Sequence, residues 1–178
     1  MPDPLTLSVL GATALTEGIK FLYSQATELL KQRRERAAKP AKPVDTTALA
    51  GELEPLEADD DVASQVEAEL KRLRHVLQDY VDDIVPIDPK DRELLEATDE
   101  VRRLLEAVYG QRITFRGEHR PESGPLVQGS VDALEVAGYV AAVRAKTVGG
   151  SATVQGAVRT EEVKEGGQAI GVDIDRIG

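Results

Sequence analysis

Apolar residues recur at helical spacing through the first two thirds of the chain and at strand spacing through the last third. Leu15, Ile19, Leu22, Ala26 and Leu29 follow one another at steps of four, three, four and three, which places them on one face of a helix. That helix is expected to run to about Arg36, where cations suit the negative end of the macrodipole and Pro40 then stops it. A second stripe, Val62, Val66, Leu70, Leu73, Leu77, Tyr80 and Ile84, begins behind acids at 59–61, where negative charge favours a helix start. A third comprises Leu94, Val101, Leu104, Leu105 and Val108, with Asp88 as its expected cap, Pro89 in its first turn and Gly110 at its end. Residues 85–87 are short enough to fold these two helices back as an antiparallel hairpin. Between the first and second helices, AKPAKP and Pro55 read as linker.

Beyond Gly110 the pattern changes to strand formers. Four six-residue units share a form, Val, charged, small or aliphatic, two mostly polar, then Val or Ile: VDALEV from Val131, VRAKTV from Val143, VRTEEV from Val158 and VDIDRI from Val172. Their expected core positions are Val131, Val143, Val148, Val158, Val163, Val172 and Ile177. Val127, Val140, Val154 and Ile170 precede the units, with Gly129, Gly156 and Gly171 interposed. A unit too short to bury its own face is stabilised by stacking on a neighbour, the physical logic of a β-solenoid. A small antiparallel meander fits the same glycine-rich turns, and VDALEVAGYVAAVRAK carries enough Ala and Leu to form a helix instead.

The expected fold class is therefore α+β. An N-terminal amphipathic helix (1–36), a linker (37–61) and a helical hairpin (62–110) precede a β-repeat module (111–178), solenoid-like or, alternatively, a small meander.

Composition narrows the function. The formal charge is -10, there is no Trp, and only two Phe and four Tyr are present, so neither a basic surface nor a set of stacking platforms points to nucleic acid. Without Cys there is no disulfide framework or thiolate metal site, which fits a reducing compartment and gives a cytoplasmic expectation. Asp3 stands where a signal peptide would carry positive charge. The only histidines, His75 and His119, fall on a helical surface and in a charged loop. No phosphate-binding glycine loop, nucleophile elbow or calcium loop is present. No catalytic residue, metal or cofactor is expected.

Residues 5–16, LTLSVLGATALT, carry no charge. As a helix they would span about 18 Å, short of the roughly 30 Å hydrocarbon core of a bilayer. Two readings remain for Leu5, Leu7, Val9, Leu10, Leu15, Ile19 and Leu22: partial insertion into a membrane, or one wall of a small bundle. Behind them lie Lys31, Arg33, Arg34, Arg36, Lys39 and Lys42, a basic cluster suited to an anionic lipid surface.

The start MPDPLTLSVLGATALTEGIKFLYSQATELL, a DPL lead into a small-residue-rich helix ending in Leu and cations, resembles the beginning of HeLo and Bell type death-effector domains. The resemblance covers the first 30 positions. It implies a helical bundle that permeabilises membranes once a C-terminal amyloid signalling motif is templated by a partner receptor. Such motifs are rich in Asn and Gln, whereas this chain has no Asn and its tail only Gln128, Gln155 and Gln168. From Leu126 onward five cations and seven acids suit a defined β fold better than a bare steric zipper.

The expectation from sequence is a non-enzymatic, self-assembling protein. Its β module would mediate homo-oligomerisation or recognition of a protein partner, and its N-terminal helix would act on or anchor to a membrane surface. The alternative is a soluble scaffold or filament subunit without membrane activity.

Overall fold

A computed structural model describes residues 5–35, 44–148 and 152–177. The chain is α+β, with helices first and strands last, and it divides into two compact units, Met1–Ser123 and Gly124–Gly178.

In the first unit, α1 (Leu5–Ser8) and α2 (Ala12–Glu35) are separate helices, interrupted beside Gly11. The stripe of α2 is buried along its whole length: Leu15, Ile19, Leu22, Ala26 and Leu29 face the core together with Leu7 and Leu10. Gly18 lies on the same side, where a side chain would come within 3.0 Å of the Phe115 ring, so the absence of a Cβ lets that ring pack on α2. Next comes α3 (Asp60–Val81), capped by Asp59, whose carboxylate accepts the backbone N–H groups of Asp61 and Val62. It buries Ala63, Leu70, Leu73 and Leu77, while Ile84 falls beyond the helix and is exposed.

The fourth helix, α4 (Arg92–Tyr109), starts later than the sequence suggests. Its cap is Asp91, which accepts the Leu94 N–H, whereas Asp88 accepts the Lys90 N–H within the preceding turn and Pro89 sits in that turn. Gly110 ends the helix in the left-handed region, φ 60°. The short strand β1 (Gln111–Arg112) follows, and the chain from Gln111 to Phe115 is buried.

Part of the stretch read as linker is built into this unit. Leu49 is buried, Ala50 N–H donates to the Thr114 carbonyl at 2.8 Å, Arg116 N–H to Ala48 at 3.1 Å and Ser123 N–H to Ala50 at 2.8 Å. One buried leucine and a set of backbone partners thus hold a segment whose proline and small residues give no periodic signal.

The second unit holds β2 (Gly124–Val136), β3 (Tyr139–Val148), β4 (Thr153–Val163) and β5 (Gln168–Ile177). Pairing skips one strand each time: β2 runs parallel to β4, and β3 parallel to β5. An antiparallel meander requires consecutive strands to pair, so the parallel ladders exclude that alternative. The helical alternative for VDALEVAGYVAAVRAK also falls, because this segment forms β2 and β3 joined at Ala137 and Gly138.

Glycine sets how closely the two ladders approach. A Cβ on Gly129 of β2 would collide with the Ala142 carbonyl of β3, and one on Gly156 of β4 with the Gly171 carbonyl of β5. Backbone therefore meets backbone at the same place in both halves of the repeat.

Candidate assembly surface

The ladders of the second unit set like on like. Val127 stands opposite Val154, Gln128 opposite Gln155, Gly129 opposite Gly156, Val131 opposite Val158, Glu135 opposite Glu162 and Val136 opposite Val163. In the other ladder Val143 stands opposite Val172 and Ala145 opposite Ile174. The first six-residue unit thus pairs with the third, and the second with the fourth. Turns keep the same order: Lys164 N–H donates to the Val136 carbonyl at 2.9 Å and Gln168 N–H to Gly138 at 2.8 Å, so one corner rests on the other. Gly166, at φ 83°, makes the upper corner possible.

Side chains alternate along β4. Val154, Val158 and Thr160 are half-buried, while Gln155, Ala157, Arg159 and Glu161 are exposed. Val136 and Val143 are buried, and Val131, Val158 and Val172 are half-buried. Val163 is 45% exposed. The side chains of Val148 and Ile177 lie outside the described residues.

Charges across the ladders are complementary at two positions. Arg144 stands opposite Asp173, with its guanidinium 3.8 Å from the carboxylate and 5.3 Å above the Tyr139 ring, whose hydroxyl donates to the same carboxylate. That hydrogen bond holds the Tyr139 phenol above its ordinary pKa. Asp132 stands opposite Arg159 in the other ladder. Among the described residues, no strand of this unit pairs with the second edge of β4 or of β5, and an edge of this kind is a template for further strands.

The N-terminal positions picked out from sequence have a different setting. Leu7, Leu10, Leu15, Ile19 and Leu22 are in the core of the first unit, and Val9 is 52% exposed. The side chain of Leu5 lies outside the described residues, as do Arg36, Lys39 and Lys42. Of the remaining cations, Lys31 and Arg34 are exposed, whereas Arg33 donates to Glu67 at 3.0 Å and to the Ser64 hydroxyl at 2.8 Å on α3.

Sequence reasoning missed a buried charge cluster. Arg102 is 1% exposed and donates to Glu118 at 2.6 Å, to Asp99 and to the Thr6 hydroxyl at 3.2 Å, with its guanidinium 5.8 Å above Phe115. Burial alone would lower its pKa, but the charges of Glu118 and Asp99 outweigh that and raise it. Glu118 also accepts the Phe115 N–H at 2.7 Å. Close by, Glu106 accepts the Ile113 N–H at 2.9 Å and pairs with Arg120 at 3.1 Å, and burial pushes its carboxyl above the usual range. The missed signal was spacing: Leu95, Asp99, Arg102 and Glu106 are separated by four, three and four residues, a second stripe beside the apolar one.

The first unit also contains an open cavity of about 630 Å³, lined in part by Glu17, Lys20, Phe21, Ser24, Glu28 and Tyr109. Burial, and then the charge of Glu28, push the Tyr109 phenol up to about 12. Among the described residues no group of His, Asp or Glu is placed to hold a metal ion, and no helix is long and apolar enough to cross a membrane.

Comparison with known proteins gave no match to a family model, to a curated protein or to a solved structure.

Proposed function

We propose that this is a non-enzymatic assembly protein whose C-terminal unit is a two-turn, β-solenoid-like module for self-association. The observation that carries this reading is the like-on-like parallel register, in which Val131, Gly129 and Val136 meet Val158, Gly156 and Val163 one turn later. A repeat that already stacks on itself within one chain, and ends on the second edges of β4 and β5, which no strand of this unit pairs among the described residues, is suited to continue the stack with another chain. Recognition of a different protein through the same edges is the neighbouring possibility, and purified protein distinguishes the two.

For the helical unit we favour the membrane-independent scaffold over the membrane-directed effector. The apolar face of α2 is occupied by its own core, and Arg33 is engaged by α3. Membrane action would require that core to open.

The test compares full-length protein with Gly156→Val by analytical ultracentrifugation over a range of concentrations. The wild type is expected to form oligomers that grow with concentration. The variant, whose side chain meets the Gly171 carbonyl, is expected to remain monomeric with its helical circular dichroism intact. A wild type that stays monomeric throughout would overturn the reading. Liposome flotation and leakage by the assembled protein would reinstate the membrane-directed alternative.

A further inference from the structure

Resting on the self-association reading, we infer that two copies of this chain close into a dimer by pairing β4 with β4 of the second copy, antiparallel, about a two-fold axis at Thr160.

Strand order limits how copies can join. The sheet runs β1-β2-β4, so β2 has a neighbour on each side and β4 on one side only. A head-to-tail stack would bring the β4 edge of one copy to the side of β2 where β1 lies. The edge that β4 offers can instead meet the same edge of another copy, a contact that a two-fold axis generates and that closes on itself. Identical strands related by such an axis run antiparallel, and residues directly opposite then project to the same face.

The side chains of β4 select the register. Gln155, Ala157, Arg159, Glu161 and Val163 alternate along the strand and are exposed, so in a dimer they meet one another. Opposite charges directly across neighbouring strands stabilise the pair and like charges oppose it. An axis at Arg159 sets arginine on arginine, and one at Glu161 sets glutamate on glutamate. An axis at Val158 sets Ala157 on Arg159 and Gln155 on Glu161. Axes nearer either end leave Arg159 or Glu161 facing an uncharged residue or no residue of the strand. With the axis at Thr160, Arg159 of each copy meets Glu161 of the other, and Ala157 of each meets Val163 of the other. Both charges are thus paired twice over, and the 45% exposed Val163 gains an apolar neighbour. On the opposite face Thr160 meets Thr160, itself a favourable cross-strand pair, and Val158 lies across from Glu162.

Two single reversals test the axis in the full-length protein by sedimentation velocity. Arg159→Glu makes both crossings acid on acid, and Glu161→Arg makes both base on base. Each variant alone is expected to dimerise about tenfold more weakly than wild type at low salt, the order set by two cross-strand pairs changing sign. The difference should shrink as salt approaches about 1 M, where the screening length falls to about 3 Å. Mixed in equal amounts, the two variants are expected to recover the wild-type affinity as a heterodimer, because every crossing between them is again acid on base. Wild type itself should grow with concentration only as far as the dimer.

Arg159 also stands opposite Asp132 within the chain, so a second measurement leaves the charges of β4's outward face alone. The chain has no Cys, and Thr160→Cys places a single thiol on the axis, opposite its own copy at the separation of directly facing residues, about 4.5–5.5 Å, within reach of a disulfide. In Val158→Cys and Glu162→Cys the two thiols are displaced by four residues, about 13 Å along the strand. Mild oxidation is expected to cross-link the first variant and neither of the others. If Arg159→Glu loses its β-sheet signal, this comparison decides. A mixture of the reversed variants no tighter than either alone, equal cross-linking of the three cysteine variants, or wild-type growth beyond the dimer would overturn the two-fold pairing and leave self-association standing. Wild type that stays monomeric throughout would overturn both.

Discussion

Val136 and Val163 stand opposite one another in the β2–β4 ladder, yet Val136 is 2% exposed and Val163 is 45% exposed. The residues and backbone conformation are the same, so the difference lies in what covers them. Val163 lies on β4, whose second edge no strand of this unit pairs among the described residues, so a further strand added to that edge would cover it. Val163→Asp is therefore expected to reduce the oligomer fraction several-fold. Its effect on folding should stay within about 0.5 kcal/mol, as for other surface substitutions. Sedimentation velocity and thermal unfolding of the same preparation check the two halves of this prediction. An unchanged oligomer distribution would count against β4 as the contact end.

The glycines at the crossing of the ladders give a second prediction. Gly129→Ala adds one methyl group, but it points at the Ala142 carbonyl and the Val143 side chain, so β2 and β3 must separate to admit it. Overpacking of this sort costs about 1–3 kcal/mol. Gly138→Ala, where no atom lies within 4 Å of the added carbon, is the matched control and should cost far less. Hydrogen exchange of the strand amides in the two variants makes the comparison, with faster exchange expected only for Gly129→Ala.

The Arg102 cluster gives a third. Removing its guanidinium with Arg102→Met leaves the carboxylates of Asp99 and Glu118 buried without their cation, and breaking a buried pair from one side costs about 3–5 kcal/mol. The packed stem is largely retained by Met, so the loss reports charge rather than volume. Urea unfolding followed by the helical signal measures it. Arg102→Met combined with Asp99→Leu is expected to recover part of the loss, because one of the stranded charges is then gone.

The helices of the first unit were legible because their burial follows from spacing alone: the α2 stripe at 15, 19, 22, 26 and 29 is the core of that unit. The cluster on α4 was not, because Asp99, Arg102 and Glu106 read as a solvated face until Glu118 and Arg120 arrive from beyond the helix to neutralise them. Asp88 was the expected cap of α4, but it and Pro89 are used in a tight turn, and Asp91 caps the helix instead. In the β unit the six-residue repeats were readable, but their partners were not. Similarity says which segments are equivalent and leaves open which ones lie side by side, and here neighbours in sequence are not neighbours in a ladder. The break between α1 and α2 had only Gly11 as its mark.

Glu106 ties the first unit to pH. Burial raises its carboxyl pKa above the unfolded value, so the folded state holds this proton more tightly than the unfolded chain does. Its contribution to stability is then fully present below the unfolded pKa, near 4.3, and is lost as pH rises through the folded value. Arg120 and the Ile113 N–H oppose the shift but do not reverse it. Glu106→Gln keeps an acceptor for the Ile113 N–H and removes the titration. The stability of wild type relative to this variant should therefore fall as pH is raised from about 4 toward neutrality, then level off once Glu106 is ionised in the folded state. Half-buried Glu67 and Glu69, held below the ordinary range by hydrogen bonds from Lys71 and Arg72, pull in the opposite direction, but they are common to both proteins and cancel in the difference. Urea unfolding of the pair at a series of pH values provides the curve. A difference that stays flat, or rises with pH, would show that the ion pair to Arg120 outweighs burial at this carboxylate.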